Sequence, residues 1–215
     1  MIKKYLALSM LFGSLLIQGC GTTSNLKPAA ETGKLDFSAY DRIIVLDFRD
    51  ETDKSGMSAE KRYSYEKSME AVTRNFADRL AAQIRITHAY FEVLRVPNSA
   101  PGIEISGAIT RYQRGNAVAR LVIGLGAGSS YFDADVVFSD NPSGRRLGQI
   151  STDKNSWFLG GGLAAGQSVE GFMHGAAKKV AKELAAAKFG PNGSPYRALG
   201  FSTDMEQARL SSKSD

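Results

Sequence analysis

The side chains best suited to chemistry fall in a few places along the chain. Residues 120–131 read RLVIGLGAGSSY, with Gly124, Gly126 and Gly128 at alternating positions after a short apolar run. Glycines placed after a strand can cradle a phosphate, because backbone N–H groups then approach it closely and a following helix N-terminus favours its charge. Asp133 and Asp135 stand at i and i+2, on one side of an extended chain, as a general acid–base pair would. Asp47, Asp50, Glu51 and Asp53 crowd one short stretch, as carboxylates around a cation do. His88 and His174 are the only histidines, and Cys20 is the only cysteine.

Context weakens most of these candidates. The glycines of 124–128 are followed by SSYFDADVVFS, whose period of two predicts a strand. No helix follows to supply a dipole, the spacing lacks the late third glycine of G-x-G-x-x-G, and no G-K-[ST] is present. A turn, a bulge or a close backbone approach is the reading such glycines support. A second cluster, FLGGGLAAG at 158–166, does precede a helical stretch, but polar STDKNSW stands before it instead of a buried strand. It reads as a loop. Asp133 and Asp135 fit a solvated strand face. The carboxylates after residue 46 lack the D-x-[DN]-x-[DN]-G order of a Ca²⁺ loop. His88 and His174 lie on different elements, with no partner at ligand spacing. Neither G-x-S-x-G nor H-E-x-x-H occurs. The sequence therefore nominates no catalytic, cofactor-binding or metal-binding residue and implies no cofactor. An envelope enzyme of unrecognised type stays open as an alternative with no residue to carry it.

Cys20 is the exception. Lys3 and Lys4 precede YLALSMLFGSLLI, an uncharged stretch at residues 5–17 that is too short to span a bilayer comfortably. A basic segment followed by a short apolar one is the pattern of a secretory signal. It ends in IQGC at residues 17–20, which resembles a bacterial lipobox: an aliphatic residue, a small residue and the cysteine that becomes acylated. A lone cysteine in an oxidising compartment needs explaining, and conversion to a thioether explains it. The resemblance implies two acyl chains on sulfur and a third on the new amino terminus, enough for stable anchoring. Gly21 and Thr22 lack the aspartate that retains such proteins at the inner membrane. The expectation is a signal peptide over 1–19 and lipid attachment at Cys20. The partner membrane is then the outer membrane, with the protein facing the periplasm.

These residues need elements to hold them. Residues 20–39 are poor in large apolar side chains and read as a tether, a flexible segment of about 15 residues spanning about 20 Å. RIIVLDF at 42–48 is an apolar, β-branched run and predicts a buried strand. From residue 59 to about 86 the apolar positions Tyr65, Met69, Val72, Phe76, Leu80 and Ile84 recur at gaps of 3 and 4, one face of a long helix, with Ser58 as its N-cap. YFEVLRV at 90–96, IEISGAITRYQ at 103–113, AVARLVIG at 117–124, SSYFDADVVFS at 129–139 and RLGQIST at 146–152 predict further strands. NPSG at 141–144 is a tight-turn sequence. A second helix is expected over 163–188, with Val169, Phe172, Met173, Ala176, Val180 and Leu184 as its stripe. Strands clustered between two helices predict an α+β domain over 40–188: a mixed sheet of about five to six strands with both helices on one face. The tail at 189–215 carries Pro191, Gly193, Pro195 and Gly200 and ends polar.

The formal net charge of +5 and the pI of 9.3 fit nucleic acid and anionic envelope surfaces equally. The basic residues are scattered, without an aromatic–basic stripe, so no nucleic-acid partner is expected.

Residues 105–151, ISGAITRYQRGNAVARLVIGLGAGSSYFDADVVFSDNPSGRRLGQIS, resemble the core of a bacterial lipoprotein family catalogued as a domain of unknown function, number 4410 in its series. Gly107, Gly115, Asn116, Arg120, Gly124, Gly126 and Gly128 match its pattern, and the likeness covers roughly residues 40–188. RIIVLDFRDETD resembles, more weakly, the first strand of the curli-secretion lipoprotein and of the lipoproteins that activate penicillin-binding proteins. These resemblances imply a compartment, a fold and protein contact. The expected role is a non-enzymatic, tethered domain that binds an envelope protein, with a ring or pore subunit as the alternative. A pore would need strands of about 9–11 residues with one lipid-facing apolar side. AVARLVIG is shorter and carries Arg120.

Overall fold

A computed structural model describes residues 24–29, 35–115, 130–155 and 168–190. The leader, Cys20, the strand expected at 117–124, the glycine stretches 124–128 and 158–166 and the tail from 191 lie outside the described residues.

The chain forms β1 (Lys27–Pro28), β2 (Arg42–Val45), β3 (Arg49–Asp50), helix α1 (Ala59–Ile86), β4 (Glu92–Leu94), β5 (Gly102–Gln113), β6 (Tyr131–Asn141), β7 (Arg146–Asn155) and helix α2 (Val169–Phe189). The sheet order is β1-β7-β6-β5-β2-β4, and β3 pairs with β5 beyond the end of β2. β2 is parallel to β4 and β5, whereas β5, β6, β7 and β1 are antiparallel in turn. The architecture is the α+β domain with a mixed sheet that the sequence predicts. Among the described residues the sheet has seven strands, counting the two-residue pairings β1 and β3.

One face of the sheet makes the core. The register aligns Ile43 with Ile103, Val45 with Ile105, Ile105 with Phe138, Ile109 with Ala134 and Val136 with Ile150. Partners in register point the same way, and these residues form one buried cluster with the stripes of both helices. Phe76 packs its ring edge against Phe48 and Phe132, both at 4.8 Å between centroids. Every residue named for the α2 stripe is buried, as are Met69, Val72, Phe76, Leu80 and Ile84 of α1. Ser58 caps α1 as expected, accepting from the Lys61 N–H, and Ser168 caps α2 through Gly171. Tyr65 reaches Tyr112 near the start of α1, Glu170 pairs Arg114 near the start of α2, and Tyr90, just past α1, bonds Leu184 near the end of α2. The two helices therefore run side by side in the same direction.

The expected tether over 20–39 needs correcting in part. β1 pairs with β7, Ala29 N–H donates to Leu147, and Phe37 is 2% exposed in the core with Leu26 and Leu35 packed against it. Leu26 N–H is also taken by the Glu183 carboxylate, and Lys179 bonds Asn25. The sequence hid this because the strand is defined by its partner and not by any apolar alternation of its own.

Candidate functional site

The face of the sheet away from the helices is mixed: Ile44 and Ala108 are buried on it, and Glu104, Asp133, Asp135 and Asp153 are its carboxylates. A one-residue bulge at Thr110 shifts the β5–β6 register, so that Arg111 stands opposite Asp133, which stands opposite Asp153 on β7. The Arg111 guanidinium lies 3.6 Å over the Tyr131 ring. Asp135 is exposed and accepts a 2.7 Å bond from the Ser151 hydroxyl. Asp133 and Asp135 thus share a face, as their spacing requires. Water reaches Asp135 and a serine partners it, the arrangement of a solvated strand face.

The carboxylates that follow β2 do not converge. Asp47 pairs with Arg95 at 2.5 Å and Arg74 at 3.7 Å, and Arg95 also holds Asp78 at 2.7 Å. Arg95 donates in addition to the Val45 carbonyl. Asp50 accepts from the Thr52 amide and hydroxyl at 3.0 and 2.6 Å and pairs with Lys54. Burial alone would raise the Asp50 pKa, but the Thr52 donors and the Lys54 ammonium outweigh it and hold the carboxyl below its ordinary value. Glu51 pairs with Arg49, and Asp53 accepts from Ser55. Each carboxylate has its own partner: local for Asp50, Glu51 and Asp53, and from α1 and the segment after β4 for Asp47. Among the described residues, no group of three or more His, Cys, Asp or Glu side chains stands together as metal ligands.

His88 ends α1 with φ +52° in the left-handed region, its N–H donating to Arg85. Its backbone, in the position usually given to glycine, terminates the helix. His174 is exposed in the second turn of α2. Because the helices are parallel, the two histidines lie toward opposite ends.

The β4 edge has a different character. Glu92 N–H bonds the Asp41 carbonyl, so the next residue, Val93, turns its carbonyl outward, and Arg85 takes it at 2.7 Å. Strand addition is thereby blunted. Yet Phe91, just before β4, is 96% exposed, and Ile86 at the end of α1 and Val96 just past β4 are 65% and 62% exposed; Tyr63 on α1 is exposed too. Tyr90 goes the other way, buried with its hydroxyl on the Leu184 carbonyl and Lys188 over its ring.

The glycine pattern can be tested at two positions. A Cβ on Gly107 would lie 2.0 Å from the Asp135 carbonyl oxygen and 2.8 Å from the Phe48 ring, so only glycine fits. Gly115, at φ +69°, lets the chain turn after β5. Residues 43–160 match the family described as Domain of unknown function (DUF4410). The chain belongs to that family. Asn116, Arg120 and the three glycines at 124–128, which also match the pattern, lie outside the described residues. Comparison with curated proteins finds no match. Among solved structures, the PelC dodecamer from Paraburkholderia phytofirmans is similar at 13% identity and TM-score 0.50, over 77% of this chain and 97% of that one. Protein XCC0632 from Xanthomonas campestris is similar at 10% identity and TM-score 0.38, over 74% and 88%.

Two features of this DUF4410 domain escape sequence reading. The Asp47–Arg95–Asp78 network joins side chains from three separate segments, which no local motif announces. Exposure of Phe91 follows from β4 lying at an edge, and YFEVLRV gives no sign of that. Alternation does say that Tyr90 and Phe91 face opposite ways, the one signal that could have flagged an outward aromatic.

Proposed function

We propose that this DUF4410 chain is an outer-membrane lipoprotein, anchored through Cys20 and facing the periplasm, that works by binding a protein and not by catalysis. The observation that carries the reading is the β4 corner. Of the four large apolar side chains exposed among the described residues, Phe91, Ile86 and Val96 flank β4 and Tyr63 lies on α1, and exposed apolar surface of this kind marks contact sites. With Val93 already capped by Arg85, contact there works through side chains. The carboxylates after β2 and Asp135 are engaged by cations and hydroxyls, which fits a surface and not a reaction centre.

A second reading, a ring-forming subunit, has its own support in the fold likeness to a protein solved as a dodecamer. Membrane-crossing by β5, β6 and β7 is disfavoured, although they are 12, 11 and 10 residues long. One of their faces packs under helices and the other carries Glu104, Asp133, Asp135 and Asp153, which leaves no apolar side for lipid.

Two measurements test these readings. Cys20→Ala should abolish incorporation of a palmitate analogue, and retained label overturns the anchor. Sedimentation of the detergent-solubilised chain separates ring from adaptor: one discrete mass many times 23.2 kDa supports the ring, and a monomer at micromolar concentration rejects it.

A further inference from the structure

The anchor and the fold together set how the domain sits on the membrane. The inference rests on lipidation of Cys20. Ser24 is the first described residue. Its N–H donates to the Ser151 carbonyl at 2.9 Å, and its hydroxyl accepts from the Ser151 N–H. Residues 21–23 alone separate Ser24 from Cys20, so the two Cα atoms are at most about 14 Å apart even at full extension. The lipid must therefore enter the bilayer within that distance of the middle of β7.

Phe91 lies far outside that reach. β1 and β4 are opposite edges of the sheet, five inter-strand spacings apart, or about 24 Å. Along the strands, Ser151 is level with Asp135 and Ala108, whereas β4 begins level with the start of β5. That offset adds about 20 Å in the direction away from the end of β7. β1 runs antiparallel to β7, so Ser24, upstream of it, lies on the Asn155 side of Lys27, where β5 and β6 also have their Gln113 and Tyr131 ends. The side chains offered at that end suit a lipid surface: the half-buried Tyr131 with Arg111 stacked on it, and Arg114, 75% exposed. Tyrosine favours the headgroup level and arginine favours anionic headgroups. Asp133 and Asp153 beside Arg111 limit the charge attraction, so the covalent lipid and its short leash set the orientation.

We propose that the domain sits on the membrane by the corner where β7 ends, and that the start of β4, with Phe91, is turned away from the bilayer. A partner at Phe91 then approaches from the periplasmic side.

The test uses the full lipidated chain in phosphatidylethanolamine–phosphatidylglycerol vesicles carrying a headgroup-linked acceptor dye. Acylated Cys20 does not react with maleimide, so one introduced cysteine takes the donor. Asp153→Cys, with Lys27→Cys as a second site on the same side, is compared with Phe91→Cys. Energy transfer should be severalfold stronger from Asp153→Cys and Lys27→Cys. Equal transfer, or stronger transfer from Phe91→Cys, overturns the orientation. Mass spectrometry on the same samples separates this from the anchor reading: if Cys20 carries no acyl chain, lipidation itself has failed. A Gly/Ser insert of about twelve residues between Thr23 and Ser24 adds a span of about 17–21 Å and should erase the difference between sites. Persistence of the difference with the insert overturns the role given to the short leash.

Discussion

The two edges of the sheet share one device and differ in another. Both protect the backbone: Glu183 takes the Leu26 N–H beside β1, and Arg85 takes the Val93 carbonyl of β4. Such blunting keeps an edge from pairing with another chain. The apolar side chains are treated in opposite ways. Beside β1, Leu26 and Leu35 fold back onto the core and Phe37 enters it. Beside β4, Phe91, Val96 and Ile86 face water. The chain thus buries its flanking apolar groups at one edge and leaves them out at the other, which the proposed function reads as one edge finished for folding and one left for contact.

The largest effect expected from testing this comparison is at Phe37. If the segment before residue 40 is part of the fold, Phe37→Ala removes a ring that meets Phe138 and Tyr40 at centroid distances of 6.4 and 6.2 Å. The cost should be about 3–5 kcal/mol in urea denaturation. A loss below about 0.5 kcal/mol, the level of an ordinary surface change, would return that segment to a tether.

Next in size is Gly148. A Cβ there would lie 2.6 Å from the Lys27 carbonyl oxygen, a backbone atom that cannot swing aside. Gly148→Ala should push β1 off β7 and cost about 1–3 kcal/mol. Hydrogen exchange at the Ala29 amide, which bonds Leu147, should quicken well before the β5–β6 amides do. Uniform quickening would mean that β1 is not a separable finish to the edge.

The β4 side has its own inward anchor, Tyr90. Burial raises its pKa far above that of free tyrosine. A raised folded pKa stabilises the fold fully below the unfolded value of about 10, and that stability drains as pH climbs above it. Tyr90→Phe should cost about 1 kcal/mol near neutral pH, through loss of the bond to Leu184. It should also flatten the fall in stability above about pH 10. An alkaline fall equal to that of the unaltered chain would mean that the Tyr90 hydroxyl is not the group responsible.

The sequence revealed what repeats within one element and concealed what depends on two. The stripes of α1 and α2 and the Ser58 cap were readable because each lies inside a single periodic segment. The starts of the long strands were placed within a residue or two, since β5 and β6 alternate apolar and polar residues against the helices. β1 was not readable, for Lys-Pro carries no pattern and becomes a strand only through Gln149 and Gly148. YFEVLRV shrank to Glu92–Leu94 because an edge strand needs only as much length as β2 offers it. At the candidate site the carboxylates after β2 were visible, but Arg74 and Arg95, which neutralise Asp47, come from elsewhere in the chain.

The smallest effect on stability is expected at Phe91, and it decides the comparison. The ring is 96% exposed, so the folded chain gains almost nothing from it. Phe91→Ser should change the unfolding free energy by no more than about 0.5 kcal/mol. Contact with a partner is another matter. An aromatic anchor at the centre of an interface commonly carries 2 kcal/mol or more of the binding energy. Phe91→Ser should therefore weaken whatever the chain binds by roughly 30-fold or more, since each 1.4 kcal/mol is about tenfold. In-cell crosslinking should lose the partner bands, or sedimentation should lose the self-associated species, while the melting curve stays in place. Unchanged crosslinks and unchanged sedimentation would show that the β4 corner is not the contact. An equal loss of stability and association would show instead that Phe91 acts within the fold, and the two edges would then differ less than their side chains suggest.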